Sequence, residues 1–199
     1  MIPNLVGVPI KPFGVAKRRL GPTVDAATRS RLGRAIAANT LVTIAASGAT
    51  ALVVTGDRGV AAWARAGGWD VLVEPAGVGL DGAAAVVVAA SPRSWAVVHA
   101  DLPLLGVDDL TAAWDAAARV VFAPSRDGGT NLVAGVDPMR FSYGPGSFHR
   151  HLAQAPGAAV ITRAGLALDL DTPADLVTVL ALGAPDWLIS LLSPAPVTP

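Results

Sequence analysis

The sequence predicts a three-layer α/β domain built on a mostly parallel central sheet. Short, continuous, Val-rich runs alternate with longer Ala-rich stretches along nearly the whole chain. The runs lack the polar alternation of a half-exposed strand, as strands buried on both faces do. The stretches between them have the length of crossover helices, and strand–helix alternation is the pattern of parallel α/β sheets.

The first strand is read at 5–10 (Leu-Val-Gly-Val-Pro-Ile). It opens at once into a loop carrying Pro12, Gly14 and the cations Lys11, Lys17, Arg18 and Arg19, a large share of the 15 Lys and Arg in the chain. Cations on a loop at the end of a buried strand are positioned to meet anions, and ligands of α/β proteins bind at that end. A solvated, charged turn would have the same composition. A helix at 25–45 follows, then a strand at 51–55, a helix at 59–66 and a strand at 71–73. Gly77-Val78-Gly79-Leu80-Asp81-Gly82 leads into a helix at 82–90, and a strand at 95–99 ends at His99-Ala100-Asp101. A helix at 108–118 and a strand at 120–123 come next. The rhythm then breaks: 125–151 is rich in Gly, Pro and polar residues around a strand at 131–135 and a helix start at 147, an excursion of the kind that either carries function or is disordered. The helix covers 147–153, strands are read at 159–162 and 167–170, and helices at 173–182 and 186–191. Residues 1–192 are expected to form one domain, with 193–199, rich in Pro, as a disordered tail.

The formal net charge is zero, so neither nucleic acid nor an acidic membrane is indicated and any anion site is local. Without cysteine there are no disulfides and no thiolate metal sites. The uncharged stretch 35–54 is interrupted by Asn39, Thr40, Thr43, Ser47, Gly48 and Thr50, which suits a helix and a strand rather than a membrane span. Apolar residues precede the first charges, the reverse of a secretory signal, so a cytoplasmic location is expected.

Three carboxylates stand out. Asp101 follows a buried strand, where a carboxylate is well positioned for a divalent metal; an Asp capping the next turn before Pro103 is the competing reading. Asp169 and Asp171, in Leu168-Asp-Leu-Asp-Thr-Pro-Ala-Asp175, fall on one side of an extended chain. Two such anions repel unless a cation lies between them. Helix capping does not account for them, because Thr172 is the better N-cap: Pro173 then falls at N1 and Asp175 at N3 completes a capping box. Three carboxylates are a hard-oxygen set of the kind Mg²⁺ prefers. The excursion offers two anion cradles, Ser125-Arg-Asp-Gly-Gly-Thr-Asn131 and Tyr143-Gly-Pro-Gly-Ser-Phe-His-Arg-His151. Glycine-exposed amides and a helix start bind phosphate or carboxylate, and Arg150 and the histidines can add charge. An ordinary loop with Ser147 as N-cap is the competing reading.

Other patterns fail. Gly77–Gly82 matches G-x-G-x-x-G, but two strands precede it and Glu74-Pro75 separates the glycines from the strand, so a purine or ribose contact fits better than a dinucleotide site. Lys17 is followed by Arg18 rather than Ser or Thr, which excludes a P-loop. His99, His149 and His151 form no zinc pattern.

Taken in order, Val8-Pro-Ile-Lys-Pro-Phe-Gly-Val-Ala-Lys-Arg-Arg-Leu20, His99-Ala-Asp-Leu-Pro-Leu104, the Gly129-Thr130 loop, Phe141-Ser-Tyr-Gly-Pro-Gly-Ser147 and Leu168–Asp175 resemble the 2-phospho-L-lactate / phosphoenolpyruvate guanylyltransferases of deazaflavin coenzyme F-420 biosynthesis. The resemblance covers almost the whole chain before the tail. It implies a single-domain nucleotidyltransferase fold of the glycosyltransferase-A-like, Rossmann-like type, which joins GMP from GTP to the phosphate of a small phospho-acid and releases pyrophosphate. By that resemblance Asp101, Asp169 and Asp171 hold Mg²⁺. Thr130, Gly144 and Ser147 hold the acceptor's phosphate and carboxylate. Lys11 and Lys17, with Arg18 or Arg19, face the GTP phosphates, and Gly79 and Asp81 contact the nucleoside. Members of the family commonly carry Gly-Leu-Asn where this chain has Gly79-Leu80-Asp81; an anion there can accept from guanine N1–H or N2–H but cannot donate to O6. Phosphoenolpyruvate is the favoured acceptor, with 2-phospho-L-lactate the rival. A nucleotidyltransferase with another phosphorylated acceptor, and a non-catalytic nucleotide-binding module, stay open at this stage.

Overall fold

The structure is a computed structural model, and it describes residues 2–192 except Ala16, Ala76, Pro92 and Ala117. The tail expected at 193–199 lies outside the described residues. Seven strands, β1 (Leu5–Pro9), β2 (Ala51–Val54), β3 (Asp70–Leu72), β4 (Trp95–Val98), β5 (Val120–Pro124), β6 (Thr130–Gly135) and β7 (Ala159–Val160), form one sheet in the order β3-β2-β1-β4-β6-β5-β7. β1 pairs in parallel with β2 on one side (Val8 opposite Val53) and with β4 on the other (Val6 opposite Ala96). Only β6 runs against its neighbours, β4 and β5.

The helices are α1 (Ala26–Ala46), α2 (Arg58–Ala66), α3 (Gly79–Ala90), α4 (Val107–Trp114), α5 (Ser147–Gln154), α6 (Ala164–Ala167), α7 (Pro173–Ala181) and α8 (Asp186–Leu192). Because side chains alternate along a strand, each strand feeds both faces of the sheet. Val6, Val8, Val53, Val98 and Leu132 pack with α1, α2 and α4. Leu52, Val54, Val97, Phe122 and Val133 face α3 and the aromatic residues of the 141–152 region. This is the expected three-layer α/β arrangement. At Gly7 a Cβ would sit 2.2 Å from Val87 Cγ2, so a glycine lets α3 approach β1 closely.

The chain leaves β1 toward β2 and β3, then returns through α3 to the other side of β1 at β4. That reversal makes the β1/β4 boundary a topological switch point, where a crevice opens at the strands' carboxyl ends. The loops after β1, β4 and β5 and the start of antiparallel β6 all lie at this edge.

The segment read as a strand at 167–170 is a finding of a different kind. α6 occupies Ala164–Ala167, Leu168 is extended, and residues 168–170 do not join the sheet. Leu168 and Leu170 are buried while Asp169 and Asp171 are turned partly outward, so the alternation of a strand survives without a ladder. One backbone bond, Leu170 N–H to the Asp101 carbonyl (3.0 Å), fastens this strap to the loop after β4. A third apolar cluster joins Leu20, Leu32 and Ile36 to Leu170, Leu176, Val179 and Leu188, which fixes the strap from below. The cap reading at Thr172 is borne out: Thr172 Oγ1 accepts from Asp175 N, Asp175 Oδ2 accepts from Thr172 N (2.7 Å), and Pro173 is at N1.

Candidate active site

Four segments converge at the switch point. The loop after β1 is anchored by Phe13, which is buried against Trp63 and lies under the Arg34 guanidinium. The Thr55 hydroxyl holds its start by donating to the Ile10 carbonyl (2.8 Å). The loop ends at Lys17, whose φ of 57° is the one left-handed non-glycine conformation among the described residues. A 3₁₀ turn (Arg18–Leu20) follows and buries Leu20.

This backbone turn carries the Lys17 amine into the carboxylate cluster. Nζ donates to Asp101 Oδ2 (3.0 Å) and to Asp171 Oδ1 (3.1 Å), and the Lys17 side chain is 5% exposed. One carboxylate oxygen from each of Asp101, Asp169 and Asp171 lies within 4.8 Å of the others. The three predicted carboxylates therefore come together from two segments.

Their charges are unequally compensated. Burial pushes the Asp101 carboxyl up, but Lys17 outweighs it and holds the group below the ordinary carboxylate range. Burial also works against the Lys17 charge, yet Asp101 and Asp171 keep the amine above its usual value. Asp169 has no such partner: burial, then the charge of Asp101, pushes it up to about 6. Asp101 Oδ1 is buried with no hydrogen-bond partner among the described residues. Three carboxylates share one ammonium, so the cluster is short of positive charge, and hard oxygen donors at this spacing suit a divalent metal.

The predicted acceptor residues form a second group beside the first. Thr130, at the start of β6, and Ser147, the first residue of α5, are both buried, with their hydroxyl oxygens 3.1 Å apart. His151 Nδ1 lies 3.0 Å from Thr130 Oγ1. Gly144 is exposed at a φ of 106°, which a side chain would resist, and its carbonyl accepts from Ser147 N (3.0 Å). Gly146, not Ser147, is the N-cap of α5. Arg150 does not project its charge into the loop. Its guanidinium donates to the carbonyls of Ser142, Tyr143 and Pro145 and so holds the loop's shape. The groups are linked: His99 N–H donates to the Asn131 carbonyl (2.9 Å), and the Tyr143 ring lies between His99 and His151, at 5.4 and 5.0 Å between centroids.

The remaining predicted residues lie on two loops, the one after β1 and the one that opens α3. Lys11, Arg18 and Arg19 are exposed on or beside the β1 loop. Gly79 begins α3 and Asp81 lies in its first turn, three residues earlier than the helix start read from sequence. Asp81 Oδ1 accepts from the Tyr143 amide (2.7 Å), which ties the start of α3 to the loop before α5. Sequence reasoning treated His151 only as added charge; its network position has a readable signal, four residues after Ser147 on a short helix, but its partner Thr130 is 21 residues away.

Residues 5–187 match the family model described as "Guanylyl transferase CofC like". The chain belongs to that family. A phosphoenolpyruvate guanylyltransferase of Geodermatophilus obscurus is 37% identical over 205 residues, covering 96% of this chain and 94% of the relative. A 2-phospho-L-lactate guanylyltransferase of Halomicrobium mukohataei is 35% identical over 194 residues, covering 90% and 89%. Among solved structures, a Desulfovibrio desulfuricans protein described as a nucleotide-diphospho-sugar transferase superposes with a TM-score of 0.77 at 16% identity, covering 96% and 94% of the two chains. That likeness shows a shared α/β fold. Among the described residues no helix is long and apolar enough to cross a membrane.

Proposed function

We propose that this chain transfers GMP from GTP to the phosphate of a small phospho-acid in coenzyme F-420 biosynthesis, with phosphoenolpyruvate the favoured acceptor and 2-phospho-L-lactate the rival. Residues 1–192 are the catalytic domain, working in the cytoplasm. The observation that carries the reading is the three-carboxylate cluster around Lys17 at the switch point of a guanylyl transferase-family chain. An acceptor phosphate oxygen attacks the α-phosphorus of GTP, a P–O–P link forms, the bond from the α-phosphorus to the β-bridging oxygen breaks, and pyrophosphate leaves.

That phosphate is already ionised at neutral pH, so no general base is required. The obstacle is bringing two polyanions together, which positioning and charge neutralisation overcome. Asp101, Asp169 and Asp171 would hold Mg²⁺, which when bound supplies neutralisation of the phosphate charge. The buried, unpartnered Asp101 Oδ1 and the under-compensated Asp169 support that assignment. Lys17 reaches its carboxylates on a long, flexible side chain, and it can exchange them for phosphate oxygens of the nucleotide. Lys11, Arg18 and Arg19 add charge at the same loop. Gly79 and Asp81 lie where the nucleoside would contact the start of α3. Thr130, Gly144 and Ser147 bind the phospho-acid.

Product mass after incubation with GTP, Mg²⁺ and phosphoenolpyruvate, 2-phospho-L-lactate or 3-phosphoglycerate, each in turn, tests the reading. A GMP adduct of one of the first two is expected. An adduct only with some other phosphorylated acceptor, or nucleotide binding without turnover, overturns it.

A further inference from the structure

The network under the acceptor site has a direction that can be read by counting protons. The Ser142 amide donates to His151 Nε2 (3.0 Å). An amide N–H cannot accept, so Nε2 must, and it carries no proton. Burial depresses the imidazole pKa to about 4, so the ring is neutral at physiological pH. Its single proton is therefore on Nδ1, which donates to Thr130 Oγ1 (3.0 Å). The hydroxyls of Thr130 and Ser147 carry two protons between them, and the bond joining them uses one. Among the described residues neither hydroxyl has a further partner. One buried O–H is left without an acceptor.

The ring cannot easily turn to escape this assignment. Phe122 stacks on it at 5.9 Å, and Tyr143 and Phe141 meet it edge-on at 5.0 and 6.3 Å. We propose that His151 is a positioning residue: by pinning its Nδ1 proton on Thr130 it makes the Thr130–Ser147 pair a net hydrogen-bond donor toward an anionic oxygen of the phospho-acid. The inference rests on the acceptor assignment under Proposed function. The opposite tautomer would set two donors against each other at Ser142 and return the hydroxyl pair to a neutral balance.

Steady-state kinetics of His151→Leu, His151→Asn, Thr130→Val and Ser147→Ala test it. Hydrogen bonds to a charged group are worth enough that His151→Leu is expected to raise the phospho-acid KM by about 10-fold or more, with the GTP KM within about 2-fold of wild type. In His151→Asn the amide N–H can stand in for Nδ1–H, and the phospho-acid KM is expected within about 3-fold of wild type. If Thr130→Val and Ser147→Ala raise that KM and His151→Leu does not, the positioning role is overturned while the acceptor site stands. A uniform fall in kcat, with no change in the KM for the phospho-acid, overturns it in favour of a merely structural histidine. If neither hydroxyl variant moves the KM, the acceptor assignment itself fails. Nitrogen-15 chemical shifts of the wild-type His151 ring give an answer independent of turnover: an Nδ1–H tautomer is expected, and an Nε2–H tautomer overturns the proposal.

Discussion

The two halves of the site solve opposite electrostatic problems. Around Lys17 three carboxylates crowd one ammonium, so that half has excess negative charge and an under-compensated Asp169. The groups that hydrogen-bond with one another at His151 are neutral, two hydroxyls, an uncharged imidazole and an amide, with Asp81 and Arg150 as single charges behind them. The first half is suited to attract cations and, through them, a polyphosphate. The second is suited to select among small anions by donor geometry, because a neutral donor discriminates position without attracting every anion nearby. A single site made of cations alone would bind two polyanions without keeping them distinct.

The largest expected effect breaks the charged half. Asp101→Asn removes a carboxylate paired with Lys17, and pyrophosphate release with GTP, Mg²⁺ and phosphoenolpyruvate should fall about 10²–10³-fold, in the range seen when one group stabilising transition-state charge is lost. Near-wild-type release would dismiss the metal assignment. Thr130→Val is the matching lesion in the neutral half. It should act on the acceptor KM, by about 10-fold, and leave the nucleotide KM in place, a split that steady-state kinetics with each substrate varied will read. Equal effects on both KM values would mean that the halves are not separate.

Lys17→Met sharpens the contrast further. Without nucleotide, Lys17 and a divalent ion compete for the same carboxylates. Removing the amine should tighten Mn²⁺ binding to the nucleotide-free protein by about 10-fold in titration calorimetry, as the loss of a buried like charge beside the ion would. Weaker binding would make Lys17 a support for the metal rather than its competitor.

A smaller effect is expected on stability. Asp169 has a folded pKa raised to about 6 from an ordinary 3.8, so its ionised form disfavours folding. That penalty is complete above pH 6 and fades between pH 6 and 4, as the folded-state carboxyl becomes protonated. Asp169→Asn should therefore raise Tm at pH 7.5 in the presence of a chelator, by a gain that vanishes near pH 4. A Tm gain that persists unchanged at pH 4 would refute the charge argument. Asp81→Asn should change least. Its Oδ1 accepts from the Tyr143 amide, and an asparagine oxygen can do the same, so the GTP KM is expected to stay within about 3-fold. A larger shift would locate base reading at this carboxylate.

Much of this arrangement was legible in the sequence. All seven strands were found, because β-branched runs bounded by turn residues are a local signal. The Thr172 cap was legible because its partners lie within three residues. The strap at 167–170 was misread as a strand, since short apolar runs look alike whether or not a ladder forms beside them. The convergence of Asp101 with Asp169 and Asp171 was suspected but not derivable, because it rests on the Leu170–Asp101 backbone bond and on the apolar cluster below it. Two features left no trace in residue type. Lys17 takes a left-handed conformation usually marked by glycine, and the hydroxyl pair spans 17 residues across two elements.

The ion pair of Lys17 also has a consequence for how the protein is made. Its two carboxylate partners are 84 and 154 residues further along the chain. The cationic loop leaves the ribosome well before the Asp171 strap, so until the strap emerges the loop lacks that counter-charge. Leu20 and Ile36 likewise wait for Leu170 and Leu188. The β1–β4 core can assemble while translation continues, but the site closes only once the strap has emerged, which makes competence for catalysis a property of the completed fold.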